Sequence, residues 1–469
     1  MEQPLTLSAA RRSDVNRSSA RTRTPGGAEL NRLDPTDRPA HDWYRFVLSF
    51  PPHLVREYLD KFGVHVGQQV LDPFCGTGTT LVECKKHGIP SIGVEANSMA
   101  SFASRVKVDW GVDPRGLREH ARHIAKVCVQ SLEDDGVPDV PIPGHYDGTP
   151  LRPNGLQGVS PELEKLMLAN SISPLPLHKT LVLLKTLARE AHPAFDGHEK
   201  LALARCLVTT IGNLHFGPEV GVGVPKPDAL VVGAWLQGVL AMAADIESLQ
   251  QFAPIASEVC QADARSVPSV VSADSIDAVF TSPPYPNEKD YTRTTRLESV
   301  LLGFISSKEQ LRELKRGLVR SNTRNVYKGD DDDRWVANHA EIQRIADCIE
   351  ARRLELGKTS GFERLYAKTT KLYFGGMARH LADLRLVLRS GALLGYVVGD
   401  QASYLRVMIR TGELLAGIAE SLGYEVVSID LFRSRLATAT GEQLREEVVV
   451  LRWPGATPRG KGYHEDERP

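Results

Sequence analysis

The chain has 469 residues, of which 42% are hydrophobic and 25% are charged. This composition is typical of a soluble globular protein with one large domain and insertions, or with two to three domains. The 57 Lys and Arg residues balance 58 Asp and Glu residues, so the net charge of −1 gives no overall nucleic-acid footprint. Any basic surface must therefore be local.

The cysteines and the apolar runs exclude several classes of protein. The six cysteines have no paired spacing, which argues against a zinc site or a disulfide scaffold and for reduced thiols in a cytoplasm. No apolar run reaches the length of about 18 residues that a membrane span needs, and the N-terminus lacks a signal-peptide core. We therefore expect a cytoplasmic protein with no metal site and no membrane partner.

The N-terminal residues 1–40 are rich in Arg, Ser, Thr, Pro and Gly and have no apolar periodicity. This composition predicts a disordered tail. An aromatic segment follows, and residues 53–62 have the pattern of an amphipathic helix that begins behind two prolines.

The pattern of residues 70–80 predicts a strand, a glycine turn and the start of a helix. The strand ends at Asp72, and Gly76 and Gly78 in the turn let the backbone approach a ligand closely. Their spacing is neither the longer dinucleotide signature nor a Walker loop. A second strand ends at Glu95, where doubly wound folds hold a ribose diol on a carboxylate.

Most of residues 110–255 must form an insertion, because a crossover to the next strand needs far fewer residues. Helical patterns at 115–132, within 161–210 and at 231–252 make this insertion mainly helical, with a Pro/Gly-rich loop at 133–160. A second Gly/Pro-rich loop at 215–227 is either a connector or a DNA contact.

The apolar run 276–280 predicts a buried strand that stops at the sequence Thr281-Ser282-Pro283-Pro284-Tyr285. The two prolines end the ladder and offer no amide hydrogen, so the loop presents a hydroxyl, backbone carbonyls and an aromatic plane. Such a loop suits the exocyclic amine of a nucleobase, since acceptors for both N–H groups make the nitrogen more reactive while the ring stacks on tyrosine. Taken alone, the same residues fit a rigid turn equally well.

Together the two loops resemble motifs I and IV of the DNA amino-methyltransferases, which transfer a methyl group from S-adenosylmethionine to cytosine N4 or adenine N6. The resemblance implies an α/β fold with a Rossmann-like class I methyltransferase sheet of seven strands, a terminal antiparallel hairpin and large mainly helical insertions. It implies catalytic roles for Ser282, Pro283, Pro284 and Tyr285. The cofactor-binding residues that it implies, with Asp263 near the adenine, are Asp72, Pro73, Phe74, Cys75, Gly76, Gly78, Thr79, Thr80, Glu95, Asp263 and Ala264.

The first residue of the motif bears on the target base. Serine is commoner there among cytosine N4 enzymes, so cytosine N4 is the favoured target and adenine N6 the alternative. The Pro-Cys pair of cytosine C5 methyltransferases does not occur in the sequence. The resemblance implies double-stranded DNA as substrate, a flipped base, and a cognate restriction endonuclease or defence system as a candidate partner.

The segment after Tyr285 is polar and aromatic, and residues 315–328 are basic, so both suit contacts to bases and phosphates. The candidate substrate-binding residues are Asn287, Lys289, Tyr291, Arg293, Arg324 and Asp400. Residues 301–365 form an insertion and a candidate DNA-contacting region.

The last third of the chain completes the sheet. We predict a helix at 372–388 with Gly391 at its C′ position, a strand at 392–400, a helix at 410–422 and a hairpin of 424–431 with 446–452. The catalytic domain would comprise 41–109, 256–300 and 366–455, with a tail at 456–469. In a parallel sheet the ligands gather at the carboxyl ends of the strands, so both loops should face one cleft.

Two further classes of function compete with a DNA methyltransferase. RNA methyltransferases of the guanine N2 type usually carry aspartate in place of Ser282 and an RNA-binding domain ahead of motif I. A noncatalytic cofactor-binding protein is disfavoured, because both loops are intact in the sequence.

Overall fold

The computed structural model describes residues 33–45, 49–139, 155–216, 220–287, 289–436 and 443–455. Most of the predicted N-terminal tail, the predicted tail at 456–469 and parts of the loops predicted at 133–160 and 215–227 lie outside these residues. The domain boundaries stay a prediction.

A seven-stranded sheet organises the chain. Its strands are β1 (Val70–Asp72), β2 (Ser91–Val94), β3 (Ser257–Cys260), β4 (Ile276–Thr281), β5 (Leu388–Gly399), β6 (Glu425–Leu436) and β7 (Gln443–Arg452). Their order is β3-β2-β1-β4-β5-β7-β6; β1 to β5 are parallel, and β7 is antiparallel to both β5 and β6. This order confirms the predicted Rossmann-like methyltransferase sheet with its terminal hairpin.

The central strands β1, β4 and β5 are buried on both faces, which explains why they contain continuous apolar runs. Side chains alternate along a strand. Val70 and Phe280 therefore lie in the core beneath the helix Pro52–Lys61, whereas Leu71 and Val279 face the helix Tyr366–Leu384 on the other side of the sheet. Thr281 pairs with Tyr396, so β4 and β5 end at the same edge of the sheet.

Eleven helices of eight or more residues occur in the described part of the chain. They are α1 (Pro52–Lys61), α2 (Thr79–Lys86), α3 (Ser98–Lys107), α4 (Pro114–Asp134), α5 (Pro174–Arg189), α6 (Asp196–Cys206), α7 (Val232–Leu249), α8 (Lys308–Arg316), α9 (Ala340–Glu355), α10 (Tyr366–Leu384) and α11 (Thr411–Ser421). None of them is both long and apolar enough to cross a membrane.

The shorter elements fill the connections. Helical turns occur at Pro35–Asp37, Arg38–His41, Pro161–Glu164, Leu207–Ile211, Gln250–Phe252, Ala264–Ser269, Tyr291–Thr294, Arg296–Leu301, Thr323–Asn325, Asp332–Val336 and Glu363–Leu365. Leu214–Phe216 pairs antiparallel with Val220–Val222, so the loop predicted at 215–227 begins with a small hairpin.

The helical insertion shares its core with one side of the sheet layer. Met99 of α3, Leu117 of α4, Leu183 of α5, Leu203 of α6 and Trp235 of α7 belong to one buried cluster. The insertion therefore packs on the helix that follows β2 and leaves the carboxyl ends of the strands accessible.

Two local predictions were wrong. Residues 33–41 form helical turns rather than part of a disordered tail, because Arg56 of α1 donates to both carboxylate oxygens of Asp37 and Ala40 is fully buried. Gly391 lies inside β5 and not at a helix C′ position. Helix α10 ends earlier, in a turn where the amide of Val387 donates to the carbonyl of Leu384.

Candidate active site

A cavity of about 650 Å³ lies at the carboxyl edge of the parallel strands. It is lined by the loops after β1, β2 and β4, by residues near α1 and α8, and by the β6–β7 hairpin. The predicted site residues that line it are Pro73, Phe74, Cys75, Gly76, Thr79, Glu95, Ala264, Ser282, Pro283, Pro284, Tyr285, Asn287, Lys289 and Tyr291. The two loops found in the sequence therefore open into the same cavity.

Asp72 holds the first loop in place from behind. Its Oδ1 accepts hydrogen bonds from the amide of Phe74 at 3.1 Å and from the hydroxyl of Thr281 at 2.6 Å. Burial raises the pKa of Asp72 to about 6. Asp72 therefore joins the ends of β1 and β4 and supports the cavity without lining it. Thr80 also lies behind the cavity wall, where its hydroxyl donates to the carbonyl of Phe280.

The two glycines of the first loop have different tasks. Both have positive φ, +51° for Gly76 and +82° for Gly78. A Cβ on Gly78 would lie 2.8 Å from Ser104 Oγ, whereas a Cβ on Gly76 would meet nothing within 4 Å. Gly78 thus permits α2 and α3 to pack closely, while Gly76 exposes its backbone to the cavity.

Glu95 faces the cavity from the end of β2. Its Oε2 accepts from the amide of Gly76 at 2.9 Å, and its Oε1 accepts from the amide of Asn97 at 2.7 Å. Burial raises the pKa of Glu95 to about 7. Among the described residues no Lys, Arg or His forms an ion pair with it, so it is a half-buried acid held by backbone amides.

The loop after β4 orients one hydroxyl group and one aromatic ring. Ser282 Oγ donates to the carbonyl of Val397 at 3.1 Å, so its lone pairs remain for an incoming donor. Tyr285 donates its hydroxyl hydrogen to Glu446 Oε1 at 2.9 Å. Burial and the Glu446 carboxylate raise the pKa of Tyr285 well above its usual value, so the ring stays a neutral phenol.

The segment after Tyr285 is fixed by backbone contacts. The amide of Asn287 donates to the carbonyls of Tyr285 at 2.8 Å and Ser321 at 2.9 Å. Tyr404 donates its hydroxyl hydrogen to the carbonyl of Ser321 at 3.0 Å. These bonds bring Asn287, and with it Lys289 and Tyr291, to the cavity wall.

The structure does not bring four other predicted residues to the cavity. The Asp263 carboxylate pairs with Arg265 at 2.7 Å, and Arg265 also pairs with Asp332. Asp400 is buried and accepts from the backbone and the guanidinium of Arg445. The two predicted cations Arg293 and Arg324 are likewise absent from the cavity lining.

Several lining residues were missed by the sequence analysis. They are Thr77, Val94, Ala96, Asn97, Ala100, Gly317, Leu318, Val319, Ser321, Val397, Gln401, Ser403, Phe432, Arg433 and Glu446. The register of β6 against β7 shifts between Leu431 and Arg433, and such a bulge turns consecutive residues toward one side. Alternation in the sequence gives no sign of it.

The strand order and the shared cavity define a Rossmann-like methyltransferase. A family model described as DNA methylase matches residues 16–101. The match and the similar proteins described next support the DNA amino-methyltransferase family for this chain.

Similar proteins carry related names. The Type II methyltransferase M.BsoBI of Geobacillus stearothermophilus is 24% identical over 451 residues, which cover 88% of this chain and 84% of that protein. The Type II methyltransferase M.AvaI of Nostoc sp. is 24% identical over 454 residues, covering 89% and 87%. A shorter match, 31% identical over 106 residues, covers 23% of this chain and 26% of a tRNA (guanine(10)-N2)-dimethyltransferase from Methanothermobacter thermautotrophicus.

Proposed function

We propose that this protein transfers a methyl group from S-adenosylmethionine to the exocyclic amine of a base flipped out of double-stranded DNA, with cytosine N4 as the favoured target. The observation that carries the proposal is that the loop of Gly76 and the loop of Ser282 and Tyr285 line one cavity. The relatives named Type II methyltransferases, matched over most of their length, support DNA as the substrate and a cognate restriction endonuclease as a partner. A cytoplasmic, nucleoid-associated location stays a prediction.

The residues on one side of the cavity fit the cofactor. Gly76 leaves open space where other residues have a side chain, and the carboxylate of Glu95 can accept hydrogen bonds from a ribose diol. Thr77 lines the same wall, and its buried hydroxyl has no hydrogen-bond partner among the described residues. Phe74 adds an aromatic surface beside them. When bound, the cofactor supplies an electrophilic methyl group on a sulfonium.

The residues on the other side fit an amine on a flat ring. Ser282 has its single hydrogen engaged by Val397, so the hydroxyl meets an N–H group only as an acceptor. Pro283 and Pro284 have no amide hydrogen, so their backbone can only accept as well. Acceptors on both N–H groups draw the nitrogen lone pair out of the ring, and Tyr285 provides the plane against which the base lies.

The size of the cavity determines that a base must leave the duplex to enter it. Its volume of about 650 Å³ lies within the range of roughly 300–1,000 Å³ that is usual for ligand sites. A paired base inside a duplex cannot place its amine in such a pocket, so a duplex substrate requires flipping. The chain's contribution to the rate is then mainly the orientation of the amine and the exclusion of water.

A specific observation favours one second candidate. The match to a tRNA (guanine(10)-N2)-dimethyltransferase includes 23% of this chain, and an exocyclic amine on guanine has the same chemistry as one on cytosine. Adenine N6 in DNA is the other target that the family allows.

Mass spectrometry of nucleosides separates these targets. The gene is expressed in a host that lacks amino-methylated bases, and DNA and RNA are digested separately. We expect N4-methylcytosine in the DNA with the wild type and with Ser272→Ala, an exposed serine near the other end of β4. We expect none with Ser282→Ala. N6-methyladenine in DNA would move the target to adenine, and N2-methylguanine in RNA with unmodified DNA would refute the proposal.

A further inference from the structure

Three side chains on the cavity wall are joined by hydrogen bonds. Tyr285 donates to one carboxylate oxygen of Glu446 at 2.9 Å, and Arg433 donates through its Nε to the other oxygen. Tyr285, Arg433 and Glu446 all line the cavity. Both oxygens of Glu446 therefore have a partner, and one partner is the tyrosine of the catalytic loop.

The strand register builds this arrangement. Glu446 pairs with Gly399 of β5 on one side and with Arg433 of β6 on the other. A Cβ on Gly399 would lie 3.0 Å from the Tyr285 ring, so the glycine allows the ring to pack over β5. Gly399, Glu446 and Arg433 thus form a row across three strands, and its middle residue, Glu446, accepts the hydrogen bond of the phenol.

We propose that Glu446 is a positioning residue that fixes the plane of the Tyr285 ring against the flipped base. This inference rests on the proposed function of the cavity. A phenol has one hydrogen to donate, and Glu446 takes it, so the hydroxyl cannot donate to a ring nitrogen of the base instead. Arg433 holds the other oxygen of Glu446, so the phenol, the carboxylate and the guanidinium form one hydrogen-bonded unit.

Arg433 has a separate task in the same unit. A carboxylate on the wall of a DNA-binding cavity would repel phosphate, and the guanidinium offsets that charge while it holds the carboxylate in one orientation. Removal of Glu446 leaves a positive charge, which by itself strengthens binding of a polyanion. A loss of activity in such a variant is therefore not a loss of DNA attraction.

A double-mutant cycle tests the inference. The variants are Glu446→Ala, Tyr285→Phe and their combination, and the control is Glu425→Ala, an exposed glutamate of the same hairpin that pairs with Arg452. Methyl transfer is followed with radiolabelled S-adenosylmethionine on DNA that lacks the modification, and cofactor binding is followed by calorimetry. Thermal melting checks the fold, and Glu446→Leu, which also lacks an acceptor for the phenol, replaces the alanine variant in the cycle should that variant not fold.

We expect Glu446→Ala to lower kcat about 10- to 100-fold, which is the size of effect that a displaced reacting group produces. The Kd of the cofactor should change less than about twofold, because Glu446 stands on the base side of the cavity. The double variant should be no slower than the slower single variant, because both remove the same contact. The Glu425→Ala control should match the wild type.

Three results would overturn the inference. The first is a double variant in which the two losses multiply, and the second is a Glu446→Ala enzyme as fast as the control. The third is a loss of cofactor binding, which would place Glu446 in a different role. A wild type that methylates no DNA would instead refute the proposed function, so the two failures are distinguishable.

Discussion

Cofactor binding should weaken as the pH falls below 7, and Glu95 should be the cause. Burial raises the pKa of Glu95 to about 7, so this carboxyl gains a proton within the ordinary working range. A ribose diol donates hydrogen bonds, and an ionised carboxylate accepts them more strongly than a protonated one. The proposed cofactor site is therefore fully effective only above the pKa.

The magnitude follows from the linkage between proton and ligand. If only the ionised form binds, the Kd should rise about tenfold between about pH 8 and about pH 6 for a pKa of about 7. Glu95→Gln should bind more weakly than the wild type above the pKa of Glu95, where the wild-type carboxylate is ionised. Its side chain has one oxygen, so either the amide of Gly76 or that of Asn97 loses its acceptor. Its Kd should also lose the pH dependence.

Isothermal titration calorimetry of S-adenosylmethionine at several pH values measures both quantities, and buffers with different ionisation enthalpies report proton release. Glu258→Gln, an exposed glutamate on the neighbouring β3, is the matched control and should keep the wild-type slope. Asp72 also titrates in this range, because burial raises its pKa to about 6. An equal slope in wild type and Glu95→Gln would refute the assignment of Glu95.

Three further predictions concern stability and are measured by chemical denaturation. Gly78→Ala should lose about 2–3 kcal/mol, because its φ of +82° disfavours alanine and the new Cβ would lie 2.8 Å from Ser104 Oγ; no loss would contradict that packing. Burial raises the pKa of Glu298 to about 7, so the folded chain retains a proton that the unfolded chain releases near 4.5. Wild-type stability should therefore gain a contribution of about 2–3 kcal/mol at pH 5 that is lost by pH 8, and Glu298→Gln should lack this slope. Arg406→Gly should gain about 0.5–1 kcal/mol by relieving a φ of +65°, whereas Lys328→Gly, at an exposed position without positive φ, should lose stability.

The strand order could be predicted because buried parallel strands have a strong signal. The runs that became β1, β4 and β5 are continuous and apolar, and both faces of these central strands are covered. The end of α10 could not be placed, since the helix stops in a turn without glycine and Gly391 lies in the following strand. Local sequence patterns identify what a segment can form, but the packing of distant segments decides where it ends.

The sequence predicted the two loops that line the cavity, but it did not predict the wall that the β6–β7 hairpin forms. The loops of Gly76 and Ser282 carry unusual residue combinations that are visible in the sequence. Glu446 and Arg433 are ordinary charged residues on an edge hairpin, and only the register of β5, β7 and β6, with its bulge, brings them to Tyr285. A contact between strands far apart in sequence has no local pattern from which it could be inferred.

The acids at the strand ends differ in whether a cation neutralises them, and this property separates an acid available to a ligand from one in a structural ion pair. Glu95, Asp263 and Asp400 all come after a strand at the carboxyl edge, and all three were predicted as site residues, the first two for the cofactor and Asp400 for the substrate. Asp263 is neutralised by Arg265 and Asp400 by Arg445, and neither acid lines the cavity. Glu95 has only amide donors, and its pKa rises because burial is not offset by a cation. A desolvated acid that faces a cavity without a counter-charge gains most from a ligand that brings its own donors, and such groups concentrate at functional sites. Arg265 lies only two residues from Asp263, but Arg445 lies 45 residues from Asp400, so for Asp400 the criterion becomes usable only once the chain is folded.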